Sequence, residues 1–427
     1  MKNIKLKDIV IYGMYFFSFI FLIFQDAIYT PDTASYLNAA IYRYPGYAIF
    51  TNFLKFIFQD YFDLVTVGIQ LLFGFIAVHF VAKKFTEVLQ LNYLSKFILV
   101  AILLFPFFGP LYVANNICSE GLSYPLYLFF IVFSIDFLFK NNNIALIYIC
   151  ISSILLILTR GQFILVPFII AFLFILKNRK EISKRNNLMK LLILVLIPIT
   201  TILLDKSYHK LKDNAFASTP FTYVNTASLA FYVSKISDSS YIKNEEHKTI
   251  FIESHNFISS NKWIMSSKKR VSYQDYYKHF HKYLVYICNF TLHDKGTEYF
   301  LNKNMSIVES RLAIEEAAKS ITPILIKNNF NKWVNVYFAS IIHGFKSIYI
   351  LLFVLGVFLF SLIKVLISYK KNYAILFMVS SLTLSNSMIV ATASYSIMRF
   401  YFYNYALLFI MIIIIYKIFI EKRQKNI

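Results

Sequence analysis

Ten apolar runs, each near the length that crosses a lipid bilayer, restrict this chain of 427 residues to a membrane-embedded helical fold. They fall near residues 8–25, 64–82, 95–112, 120–139, 143–159, 161–177, 188–204, 346–368, 373–391 and 398–420. A water-soluble domain cannot hide a sequence that is 58% hydrophobic and only 15% charged. The expected fold is all-α, a polytopic membrane protein of about ten transmembrane helices. The first run follows a basic start, KNIKLK, and lacks a small-x-small cleavage site, so it reads as a retained span.

Charge placement sets the expected orientation. With the N-terminus inside, the cytoplasmic connections carry twenty lysines and arginines, whereas the short outer connections carry Arg43, Lys55, Arg160 and Arg399. The chain therefore reads N-in and C-in. The net charge of +21 becomes largely a topological signal, and nucleic acid is not an expected partner. Three scattered cysteines support neither a disulfide framework nor a metal-binding CxxC site.

Three parts follow from this layout. Residues 1–204 form an N-terminal transmembrane module of about seven spans, with a first outer loop at 26–63. That loop is rich in aromatics and reads as one or two interfacial amphipathic helices broken at YPGY. Residues 205–345 form a large extracytoplasmic loop domain, an outer-face insert with helical patterning in KKRVSYQDYYKHFHKYLVYI and VESRLAIEEAAKSITPILIKNNF. Residues 346–427 are a C-terminal three-span module.

The few charges at membrane depth are the site candidates, because acids and arginines are costly there. Asp32 lies in TPDTASYLNAA, where Thr30 and Pro31 start a helix and Tyr36 shares the face of Asp32. Glu120 opens the fourth run in NNICSEGLSYPLYLFF, with Ser119 as an available cap. Arg160 interrupts LLILTRGQFIL, and Arg399 precedes the last run in SIMRFYFYNYALLF. All four ends point to the outer side. A guanidinium binds phosphate oxygens bidentately and stays charged at any pH, which suits a lipid phosphate. The bland readings are a helix cap for Asp32 and Glu120, and a snorkelling anchor or structural ion pair for the arginines. His247, His255, His279, His281 and His293 lack a third ligand at metal spacing and read as ordinary surface residues.

An acid in D-x-x-x-Y form in the first outer loop, an aromatic-proline stretch after it, SE at the head of the fourth run, an Arg after the fifth, and RFYFYNYALLF resemble the GT-C superfamily of membrane glycosyltransferases. Its protein mannosyltransferase and aminoarabinose transferase-like branch is the most similar in form. The resemblance implies an enzyme that moves a sugar from a polyprenyl-phosphate-linked donor to a cell-envelope glycan or lipid acceptor, with inversion. The active site would face outward from a bacterial cytoplasmic membrane. It assigns Asp32 as catalytic base, and Tyr36, Glu120, Arg160 and Arg399 to substrate binding. Thr33 stands where many relatives carry a second acid, and the large loop holds no DxD pair. No metal ligand is assigned and no cofactor is fixed; a divalent metal stays open. Two rivals remain. An O-antigen-type polymerase or ligase would use Arg or His within 205–345. A lipid-linked glycan flippase would be expected to carry charges at mid-membrane.

Overall fold

The structure, a computed structural model, describes residues 6–140, 142–393 and 395–425, with side chains for 9–140, 142–393 and 395–420. The basic start at Lys2 and Lys5, Asn141 and Ser394 lie outside the described residues. Every regular element among the described residues is a helix. The N-terminal part comprises α1 (Leu6–Ile23), α2 (Pro31–Leu37), α3 (Pro45–Phe58), α4 (Phe62–Leu89), α5 (Tyr93–Leu104), α6 (Glu120–Lys140), α7 (Asn143–Thr159), α8 (Val166–Lys177) and α9 (Arg185–Asp213). The insert contains α10 (Thr222–Val233), α11 (Glu245–Ser260), α12 (Tyr273–Ile287), α13 (Asp294–Leu301), α14 (Ile307–Asn328) and α15 (Phe330–Gly344). The chain ends with α16 (Ile348–Ile367), α17 (Lys371–Ala393), α18 (Met398–Tyr401) and α19 (Tyr405–Lys425).

Six stretches are long and apolar enough to cross a membrane: Pro45–Leu89, Glu120–Lys140, Arg185–Asp213, Ile348–Ile367, Lys371–Ala393 and Met398–Ile420. They mark a membrane protein. The remaining apolar runs lie on shorter helices, Ile9–Ile23, Tyr93–Phe107, Asn143–Thr159 and Gly161–Lys177. Residues 26–63 hold two helices, α2 and α3, and the second starts at the proline of YPGY. Helix α9 continues unbroken past residue 205 to Asp213, so one rigid element carries the chain from the N-terminal part into the insert. Helices α10 and α15 pack against α17, seating the insert on the bundle.

Two irregular segments are tied together. Ile28 N donates to Asn115 O at 2.8 Å and Ile117 N donates to Ile28 O at 3.0 Å. The buried Asn115 carboxamide donates to the carbonyls of Leu22 (2.9 Å) and Gln25 (3.2 Å), closing off the end of α1. Thr33, fully buried, donates to Ile117 O at 3.0 Å. These bonds satisfy backbone groups that would otherwise be buried without partners, and they clip the start of α2 beside the start of α6.

Small residues set the closest approaches. The buried carboxamide of Gln70 accepts from Tyr47 at 3.0 Å and donates to Ala114 O at 2.6 Å. It lies where a Cβ on Gly121 would collide with it. The Gln70 group cannot yield without losing those bonds. Gly121→Ala is therefore expected to cost about 1–3 kcal/mol by overpacking. Gly356, with no atom within 4 Å of its Cβ position, is the control. Thermal unfolding in detergent micelles should show a lower Tm for Gly121→Ala and none for Gly356→Ala.

Candidate active site

Helix α2 starts as the sequence predicts, with Thr30 at the cap and Pro31 in the first turn. The Thr33 hydroxyl accepts from Thr30 N at 2.9 Å while it donates to Ile117. The first turn is thus fixed on both sides, which aims Asp32. After Leu37 the chain reverses through Ala39 in the left-handed region, φ 45°. This turn lays Arg43 back over α2. Its Nε donates to Ser35 Oγ at 2.7 Å and its Nη2 to Asp32 Oδ1 at 2.6 Å. The guanidinium also covers the ring of Tyr36, 4.9 Å from the centroid. Tyr36 itself is buried against Tyr47. It supports Arg43 from beneath.

Arg399 joins this corner to the next. Its Nη1 donates to Asp32 Oδ2 at 2.8 Å, its Nε to Glu120 Oε1, and its Nη2 to Glu120 Oε2 at 3.2 Å and to Cys118 Sγ at 3.1 Å. Arg160 Nη1 meets Glu120 Oε1 as well, at 2.6 Å. The result is an alternating chain of charges, Arg43–Asp32–Arg399–Glu120–Arg160, drawn from α2 and its following turn, α6, the α7 terminus and α18. Three guanidiniums face two carboxylates, so one positive charge stays unbalanced within the chain. Such a site attracts an oxyanion.

Arg160 is held on every side. The backbone is extended there, φ −150°, breaking α7 from the 3-10 turn Gly161–Phe163. A Cβ at Gly161 would collide with the Tyr44 hydroxyl and ring, so the glycine lets that side chain lie against the turn. The Arg160 side chain donates to Ser119 Oγ (3.1 Å) and Gln162 Oε1 (3.2 Å) and covers the Phe400 ring at 4.9 Å. Gln162 in turn donates to Asn386 at 2.9 Å, and Asn386 donates to Phe400 O at 3.0 Å. Beneath lies a buried aromatic floor in which Tyr403 meets Phe163, Tyr127 and Tyr124 at 5.0, 5.6 and 5.9 Å. The Ser123 and Tyr403 hydroxyls lie 2.7 Å apart. Some of the abundant aromatic residues thus serve as a packed support under ion pairs.

The two carboxylates differ in access. Glu120 is sealed, 4% exposed, while Asp32 is 29% exposed. Burial alone would raise the Asp32 carboxyl, but the guanidiniums of Arg43 and Arg399 outweigh it and hold the group below its ordinary value. Asp32 is ionised at neutral pH and open to a ligand.

The structure brings together Asp32, Glu120, Arg160 and Arg399, with Tyr36 directly behind. Ser119 bonds Arg160. Sequence reasoning left Arg43 unranked; with Lys55 it is one of only two bases in 26–63, which was the available signal. Two histidines depart from the expected surface placement: His255 and His293 are buried, packed among rings of Phe251 and of Tyr42 and Phe221 respectively. No group of three or more His, Cys, Asp or Glu that could hold a metal ion occurs among the described residues. No protein-family model, curated protein or solved structure matches the chain.

Removing the Glu120 charge leaves the buried Arg160 without its carboxylate partner and Arg399 with Asp32 alone. Glu120→Gln is expected to cost about 3–5 kcal/mol, the penalty for breaking a buried ion pair from one side. Asp32→Asn should cost less, since Asp32 is partly solvated. Thermal melts of both variants in the same micelles check this order.

Proposed function

We propose that this protein is a membrane glycosyltransferase of the GT-C kind. It moves a sugar from a polyprenyl-phosphate-linked donor to a cell-envelope glycan or lipid acceptor. The observation that supports this reading best is the pairing of one accessible carboxylate with arginines at one end of the apolar helices. Under the reading the chain crosses a bacterial cytoplasmic membrane about ten times, N-in and C-in, with the site on the outer face and the insert above it.

The chemistry is a single displacement. The acceptor hydroxyl oxygen attacks the anomeric carbon as its proton passes to the Asp32 carboxylate. The bond from that carbon to the phosphate oxygen breaks, and the polyprenyl phosphate departs with the electron pair. Under this reading the guanidiniums of Arg399 and Arg160 balance the departing charge, so no separate acid is needed. Glu120 is a positioning residue under this scheme. It holds both guanidiniums and does not touch the reacting atoms. Tyr36, assigned to substrate by the resemblance, acts through Arg43.

Asp32→Asn tests the reading, because the cap at Thr30 is untouched and asparagine matches the size of aspartate but cannot take the proton. In membranes supplied with a polyprenyl-phosphate-sugar pool, transfer should fall by roughly 10²–10⁴-fold at matched expression. Undiminished transfer, combined with loss in Arg311→Gln, would favour the polymerase reading, since Arg311 is the insert arginine packed against Tyr42.

The pH profile supplies a second check. A base with a lowered pKa stays ionised as the medium is acidified, so the acid limb of the rate should lie below the ordinary carboxylate range. Arg43→Gln removes one of the two cations that lower it. The limb should then move to higher pH, while Arg43→Lys keeps it near the wild-type position.

A further inference from the structure

Beside the charge chain, the insert presents a second cationic group to the same loop. Tyr42 has the guanidinium of Arg43 at 5.5 Å from its ring centroid and that of Arg311, from α14, at 5.4 Å. Phe221 and His293 complete the wall, with His293 edge-on to both rings at 4.9 and 4.7 Å. His293 ends a π-helical turn, Cys288–His293, a form of helix that is rare and is often found at functional sites. Arg311 is held by its Nη1, which donates to His293 O at 2.7 Å.

Arg311 differs from the three site arginines in what balances it. Among the described residues its nearest carboxylate oxygen is that of Asp294, at 3.9 Å and beyond hydrogen-bond reach, and that carboxylate is half-exposed. The Arg311 side chain is itself only 14% exposed. No Arg311 nitrogen is among the sealed, unpartnered polar atoms, so the donors that His293 does not take face solvent, where a ligand can reach them. His293 reports the local field. Burial, then the charges of Arg311 and Arg43, push its pKa down to about 3, so it stays neutral. Burial opposes a charge of either sign, whereas the contribution of Arg311 and Arg43 opposes only a cation and favours an anion.

We infer that Arg311, Arg43 and Tyr42 form an oxyanion subsite beside Asp32, which takes a carboxylate or phosphate group carried by the acceptor. This deepens the proposed function and rests on it for the word acceptor. Arg311 supplies the planar donor fork, and the Tyr42 ring seats both guanidiniums. The subsite is separate from the Arg160–Arg399 pair assigned above to the donor phosphate.

Binding tests this without any transfer reaction. The full-length protein, in micelles of a neutral detergent, is titrated calorimetrically with glucuronate, inorganic phosphate and glucose. Wild type should bind the anions better than glucose. Arg311→Gln should weaken glucuronate binding at least about tenfold, as loss of a charge-assisted contact does. Asp294→Asn, which removes the competing carboxylate, should tighten it and guards against a misfolded arginine variant. Loss of both anions in Arg311→Gln supports the subsite with either charge; loss of glucuronate alone supports it as a carboxylate site. Unchanged affinity for both anions in Arg311→Gln, or weaker binding in Asp294→Asn, overturns it. Since no sugar is transferred, a failed displacement mechanism and a failed subsite give different results.

Discussion

The guanidinium of Arg399 is shared between two carboxylates from distant parts of the chain, and the rest of the site is arranged around that sharing. Asp32 and Glu120 lie 88 positions apart and Arg399 lies 279 beyond Glu120. A planar fork with five donors can bond both acids at once, which an ammonium point charge cannot do with the same geometry. In a half-dry setting each charge left unpaired would be expensive, so the three residues stabilise one another only as a set. The bridge at Ile28, the Thr33 hydroxyl and the Gln162–Asn386 contact all serve to bring their backbones into register.

That arrangement separates roles that two acids of similar chemistry could otherwise confuse. Glu120 is enclosed by arginines above an aromatic floor and is nearly closed to solvent. Asp32 keeps an open edge. The difference comes from depth in the fold: Glu120 opens a buried helix, whereas Asp32 sits on a short helix laid across its end. The same enclosure leaves a surplus of positive charge facing the open edge, and Arg311 adds to it from the insert.

The sequence shows much of the scaffold. Ten apolar runs mark helices because a backbone in lipid has no water to bond with. Asp32, Glu120, Arg160 and Arg399 are visible because a charge at that depth needs a partner. Arg43 is harder to see. Its approach depends on the reversal at Ala39, a left-handed residue with no glycine to announce it. Arg311 and His293 are further still, because their packing on Tyr42 requires the insert to be seated on α17. Thr33, directly after Asp32, is fully buried and bonds the Ile117 carbonyl, a place with no solvent for a second charge.

From the amino-acid order alone, then, come the membrane class, the helical fold and four charged residues gathered at helix ends, since hydrophobicity and the cost of buried charge are local properties of a segment. Which acid is sealed, which is open, which arginine binds which, and that Arg43 completes the chain were decided only by tertiary structure. The physical reason is reach. An ion pair is settled over a few ångströms, and those distances exist only after loops hundreds of residues apart have been clipped together.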